Sequence, residues 1–153
     1  MKFTRRLHHD VPSSVDQSGA VFHIRIRATS PVPLTDPDLA PQLLSSVVEY
    51  SRREIWWPVL FLLMPDHVHA LLSFHPERRL SRVVGDWKKW NTQKHGVLWQ
   101  ENFFDHRLRR EESIEEKAIY IRRNPVVKGL CSSPDQWPWV LDSHSIQALL
   151  RPQ

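Results

Sequence analysis

The feature that most limits how this chain can fold is a long apolar stretch that breaks once. From about Trp57 to Met64 both alternating faces are apolar; Pro65-Asp66 interrupts, and His67 to Phe74 resumes the extended pattern. A strand apolar on both faces must be covered on both, which puts it at the centre of its sheet. Two such segments joined across a two-residue break form a tight hairpin. The uninterrupted run, Trp56 to Pro65, is too short and too β-prone to span a bilayer.

The remaining segments sort around this hairpin. Val21 to Arg27 alternates, with Phe22, Ile24 and Ile26 on one face, and predicts a half-buried strand. Pro31, Pro33 and Pro37 make Ser30 to Asp38 a loop. From Asp38 to Arg53, Leu39, Leu43, Leu44, Val47 and Val48 recur at helical spacing, with Pro41 in the first turn, where its missing N–H costs little. Leu80, Val83, Val84, Trp87 and Trp90 mark a second amphipathic helix ending before Gly96. Trp99 to Leu108 reads as extended chain with one strand. Ser113-Ile114-Glu115-Glu116 has the form of a capping box opening a third helix, which Pro125 is expected to stop near Asn124.

Strand, helix, strand, strand, helix, strand is the order of a split βαβ, or ferredoxin-like, sandwich. The expected class is α+β: one antiparallel sheet with helices on one face, followed by a C-terminal helix. A chain of 153 residues suits one domain, 1–153. Residues 1–19 are expected to be an irregular leader, and 131–153 a tail packing back on the body, with a short helix near Ile146 to Leu150. This architecture hosts many functions and selects none.

The apolar share of 41% and charged share of 25% are ordinary for globular proteins. No signal-peptide pattern is present, and one cysteine, Cys131, excludes an internal disulfide framework and a cysteine-based zinc cluster. A reducing cytoplasm is the expected setting. A formal charge of +4 favours polyanionic partners. Arg78, Arg79, Arg82, Lys88 and Lys89 near Trp87 and Trp90 suit phosphate contacts with base stacking, but this stretch alone favours a solvated helix face over core tryptophans.

Chemistry is concentrated at two places. His67 and His69 share one face of a strand, their Cα atoms ~6.6 Å apart, so two imidazoles can meet one ion. A pair of structural histidines has the same spacing. Tyr120 and Asn124 lie one helical turn apart on one face, offering a phenol oxygen and an amide oxygen. The alternatives are an amphipathic tyrosine and a helix C-terminal asparagine. Tyr120 needs a metal or cations such as Arg122 and Arg123 to favour its phenolate. Glu116 lies one turn earlier, but its capping position explains it better than a role as base.

Three blocks then carry a resemblance: Met64 to Leu72 (MPDHVHALL), Leu98 to Arg109 (LWQENFFDHRLR) and Tyr120 to Leu130 (YIRRNPVVKGL). In this order and spacing, with Arg5-Arg6-Leu7-His8-His9 and Trp137-Pro138-Trp139 at the ends, the chain resembles the REP-associated tyrosine transposases. These are relatives of the single-tyrosine HUH transposases. The resemblance implies that His67, His69 and Asn124 hold Mg²⁺ or Mn²⁺ and that Tyr120 is the nucleophile. It implies a substrate of single-stranded DNA beside imperfect-palindrome hairpins, cut through a 5′-phosphotyrosine. Candidate DNA contacts are Arg5, Arg6, Arg82, Lys88, Lys89, Arg107, Arg109, Arg110, Arg122 and Arg123. The tail resembles the monomeric branch, although relatives include dimers. Many relatives carry Asn where this chain has Asp66, an extra carboxylate able to tighten or relocate metal binding. A domesticated protein that holds DNA or RNA hairpins without cutting them is the alternative function. A small-molecule or interaction module on the same fold fits the basic charge least.

Overall fold

The computed structural model describes residues 20–109 and 112–152. The expected leader at 1–19 and the candidate contacts Arg5, Arg6 and Arg110 lie outside them.

The elements run β1 (Phe22–Arg27), α1 (Ala40–Arg52), β2 (Trp56–Met64), β3 (His67–Phe74), α2 (Leu80–His95), β4 (Phe104–Arg107), α3 (Ile114–Arg122), α4 (Asn124–Val127), a 3₁₀ turn (Pro134–Gln136), β5 (Val140–Asp142) and α5 (Ser143–Leu150). The sheet order is β4-β1-β3-β2-β5, every neighbouring pair antiparallel. Its first four strands have the split βαβ order, and β5 extends the sheet beyond β2. The fold class is thus the expected α+β one.

The central hairpin forms as its apolar pattern requires: all eight residues of β3 are buried. Both faces of the sheet are covered, by different helices. On one face Ile24, Ile26, Phe61, Leu63, Val68, Ala70 and Leu72 join α1, α2 and α5 in the larger core around Trp56 and Trp87. On the other, Leu60, Leu62, Met64 and Leu71 meet Ile114 and Ile121 of α3. One helix covers only part of that second face, and the histidines occupy the remainder.

Helix ends follow local chemistry, with two departures from expectation. Gly96 closes α2 at φ 70°, a left-handed conformation that glycine adopts without a Cβ clash. The Ser113 hydroxyl accepts the Glu116 N–H at 3.1 Å, but among the described residues the Glu116 carboxylate makes no return bond. That carboxylate is exposed. Contrary to expectation, Pro125 does not stop the helical path but lies in the first turn of α4. A first-turn residue has no intrahelical N–H bond to lose, so proline is tolerated there. The break falls instead at Arg123, whose N–H turns back to the Tyr120 carbonyl.

The tail returns to the body. The Trp137 indole donates to the Leu63 carbonyl at 3.0 Å, and β5 pairs with β2. Helix α5 spans Ser143–Leu150, longer than the expected 146–150, because Asp142 caps it by accepting the Ser145 N–H at 2.7 Å. No helix of the described residues is long and apolar enough to cross a membrane.

Candidate functional site

His67 and His69 project from β3 onto the face that α3 covers, with ring centroids 4.8 Å apart. Cross-strand register fixes their surroundings: Arg27 and Arg25 stand opposite them on β1, Met64 and Leu62 on β2. Both histidines are buried, and each has one ring nitrogen engaged by a neighbour.

His67 Nδ1 lies 2.7 Å from Asp66 Oδ1. A carboxylate only accepts, so Nδ1–H donates, and in the neutral ring the lone pair is then on Nε2. The other carboxylate oxygen, Oδ2, takes the Arg27 guanidinium at 3.1 Å. The His67 ring and then the Arg27 charge hold the Asp66 carboxyl below the usual range. Both oxygens of this unexpected carboxylate are therefore committed, one of them to orienting His67.

His69 has the matching arrangement with a different partner. Its Nδ1 is 3.2 Å from Nε2 of His23 on β1, a buried contact with the rings stacked at 5.4 Å. When His69 donates from Nδ1, its Nε2 lone pair is free. Burial, then the charges of Lys117, Arg25 and His106, lowers the His23 pKa to about 4. Burial, then His67, His23 and Arg25, lowers that of His69 to about 3. Both rings are therefore neutral near neutrality, the form in which imidazole binds a metal.

Helix α3 crosses this face from the β1 side to the β5 side. The Lys117 charge acts on His23, while the Arg122 guanidinium reaches Asp142 at 2.7 Å. Ile121 is fully buried against the sheet, which leaves its neighbour Tyr120 at the rim, 69% exposed. Among the described residues the Tyr120 side chain forms no hydrogen bond, ion pair or ring contact. Asn124, just beyond α3, donates its amide to the Ile121 carbonyl at 2.9 Å, so its Oδ1 stays free to accept.

His67 and His69 could each offer Nε2 to a metal ion and Asn124 its amide oxygen, donor types that suit Mg²⁺ or Mn²⁺. Among the described residues no group of three or more His, Cys, Asp or Glu is placed to hold a metal ion, so a third protein donor here would have to be of another kind, such as an amide oxygen.

The cations expected to touch DNA are not gathered at this face. Arg82, Lys88 and Lys89 ride on α2, across the sheet from the histidines. The Lys88 ammonium is occupied by the Gln100 and Glu101 carbonyls at 2.7 and 3.1 Å. Arg107 pairs in register with Phe22, also on the far face. Arg109 and Arg123 are exposed, and Arg122 is tied to Asp142. The histidine face is instead lined by His23, Arg25 and Arg27, which the sequence reading left out. Their signal was available: in the alternation of β1, these are the residues opposite Phe22, Ile24 and Ile26.

Fold and site together define an α+β sheet protein with paired imidazoles and a tyrosine-bearing helix on one sheet face. No protein-family model matches the chain. A Haemophilus influenzae protein carried under the provisional name REP-associated tyrosine transposase is 25% identical over 114 residues, 62% of this chain and 64% of that protein. The match thus spans just under two thirds of the relative. A solved structure described as a REP-associated tyrosine transposase bound to a REP hairpin aligns with a TM-score of 0.71 at 18% identity, covering 87% of this chain and 82% of that one. The resemblance read from the three sequence blocks is borne out by both: this chain is similar to REP-associated tyrosine transposases in sequence and shares their fold.

Proposed function

We propose that this protein cleaves and rejoins single-stranded DNA beside a hairpin, with Tyr120 as nucleophile. The observation that carries the reading is the face shared by His67, His69 and the Tyr120 helix, with the Nδ1 of each histidine held by a neighbour. Structural histidines would not need Nε2 left free on both rings. The hairpin substrate is taken from the REP hairpin bound by the similar structure.

His67, His69 and Asn124 would hold the divalent ion, with Asp66 and His23 fixing the orientation of the two imidazole rings. Such an ion, when bound, supplies Lewis-acid polarisation of the phosphate and offsets transition-state charge. Tyr120 Oη attacks phosphorus, the bond from phosphorus to the 3′-oxygen breaks, and a 5′-phosphotyrosine and a free 3′-hydroxyl result. The exposed phenol passes its proton to water, and the departing oxygen gains one. Attack of a 3′-hydroxyl on the tyrosine ester reverses the step, so rejoining needs no ATP. Arg25 and Arg27, opposite the histidines, add positive charge along the strand's path.

The test is a covalent adduct between the protein and hairpin-bearing single-stranded DNA in Mn²⁺, resolved by denaturing electrophoresis. Wild type should give the adduct and Tyr120→Phe should not. His67→Ala/His69→Ala should lose cleavage while keeping hairpin affinity. Hairpin binding with no adduct from wild type would leave a non-cutting hairpin binder.

A further inference from the structure

The part of the histidine face not covered by α3 carries an arrangement that metal chemistry does not use. Phe104, on edge strand β4, is the register partner of Arg25 and so points to the same face as His69. Phe104 is 44% exposed, unusual for a phenylalanine on a paired strand. The His23 ring meets it edge-on at a centroid distance of 5.7 Å, and the Arg25 guanidinium lies 5.0 Å from its centroid. Arg25 is exposed and makes no ion pair among the described residues. The nearby carboxylates are already taken: Asp66 by His67 and Arg27, Glu112 by His106 and the Arg109 N–H.

An exposed phenyl ring with a guanidinium against it that no carboxylate pairs, two strands from the imidazole pair, has the two elements that unpaired nucleotides require. Aromatic faces stack bases of any sequence, and a guanidinium pairs with phosphate. A packing role does not explain the ring, because neither hydrophobic cluster includes it. A membrane or protein partner would call for a wider apolar patch than one ring flanked by histidine and arginine.

We infer that Phe104 and Arg25 form a subsite for one unpaired nucleotide of a single strand, the base stacked on Phe104 and its phosphate on Arg25. This deepens the proposed function and rests on it for the identity of the strand. The subsite would set one nucleotide beside the scissile phosphate, holding the strand after it leaves the duplex stem. Stacking fixes its position without choosing its sequence.

The experiment separates base from phosphate. Affinities for oligothymidylate and for an all-abasic strand of equal length are measured in Mg²⁺ with the Tyr120→Phe chain, so that no cleavage intervenes. The chain should prefer the strand with bases. Adding Phe104→Leu should cut that preference roughly 5-fold or more, Phe104→Tyr should retain it, and Arg25→Ala should weaken both strands alike. Phe104 is on an exposed edge, and a flankless duplex hairpin bound equally by all variants verifies folding. If Phe104→Leu weakens both strands equally, or neither, the subsite is wrong. A wild-type chain that shows the Phe104 dependence but makes no tyrosine adduct removes the catalytic reading and leaves the subsite. Cleavage without Phe104 dependence does the reverse.

Discussion

The Nε2 of His23 and the Nδ1 of His69 lie 3.2 Å apart, buried between two neighbouring strands. This bond gives His69 the kind of outer partner that Asp66 gives His67. Removing it by His23→Ala frees His69 to rotate and to change tautomer. Loss of such an outer partner typically weakens metal binding 10- to 100-fold. Calorimetric titration with Mn²⁺ should show a loss in that range, with His23→Gln partly restoring affinity because its amide can still accept. Unchanged affinity in His23→Ala would make the contact one of packing alone.

Asp66→Asn tests the departure from the relatives' pattern. The amide oxygen can still accept from His67 Nδ1, but the charge that pairs with Arg27 is gone. That pair is half exposed on both sides, so its contribution to stability is about 0–1 kcal/mol. Thermal unfolding should change little. Mn²⁺ affinity should fall less than in Asp66→Ala, where the acceptor itself disappears. Equal losses in the two variants would point to charge, not the hydrogen bond, as what His67 needs.

Much of this arrangement was legible in the sequence, and the exceptions have physical causes. The two-faced apolar run with its Pro65-Asp66 break located the centre of the sheet, and strand period alone put His67 and His69 side by side. Strand β5 was missed because three residues carry no measurable period. Pro125 was misread because a proline that ends one helix and a proline that opens the next look alike locally. His23 is 46 residues from His69, and Arg27 is 39 from Asp66, so only register brings them together. The polar half of the β1 alternation was visible as a pattern, but an unpaired polar face has no meaning until the neighbouring strand is known.

Acid should destabilise the metal-free protein in a defined window. His23 and His69 have pKa values lowered to about 4 and about 3, against about 6.5 unfolded. Facing them are His67 on β3, Arg25 on β1, His106 on β4 and Lys117 on α3, none of which supplies negative charge. Between pH 6.5 and 4 the unfolded chain binds more protons than the folded one, so stability rises with pH there. Each ring contributes a slope of up to about 1.4 kcal/mol per pH unit. Melting temperature measured from pH 7 to pH 4 should fall, and His23→Phe should flatten the curve. An unchanged curve in that variant would mean His23 titrates normally.

The larger core depends on one hydroxyl. Ser46 accepts from the Trp87 indole at 2.9 Å and from the Asn91 amide at 3.3 Å, and donates to the Leu43 carbonyl at 2.6 Å. Trp87 and Asn91 are fully buried. Ser46→Ala leaves the indole N–H without an acceptor, a cost of about 1–3 kcal/mol. Urea unfolding should show a lower midpoint with an unchanged slope. A midpoint within error of wild type would mean that the core relaxes to satisfy Trp87 another way.

The ion pair between Arg122 and Asp142 separates two roles that a basic residue near a nucleophile can have. At 2.7 Å it fastens the end of α3, two residues past Tyr120, to the edge of the sheet. Arg122 is therefore expected to position Tyr120, not to contact DNA. Arg122→Gln should slow adduct formation several-fold, since small misplacements of a nucleophile cost rate steeply. Asp142→Asn should do the same, while its amide oxygen still accepts the Ser145 N–H that caps α5. Neither change should alter the salt dependence of single-strand binding. Arg25→Ala should reduce the slope of log affinity against log salt by about 0.7, the contribution of one phosphate contact on a single strand. If Arg122→Gln lowers the slope by the same amount, Arg122 is a phosphate contact, and its link to Asp142 is not what sets the nucleophile.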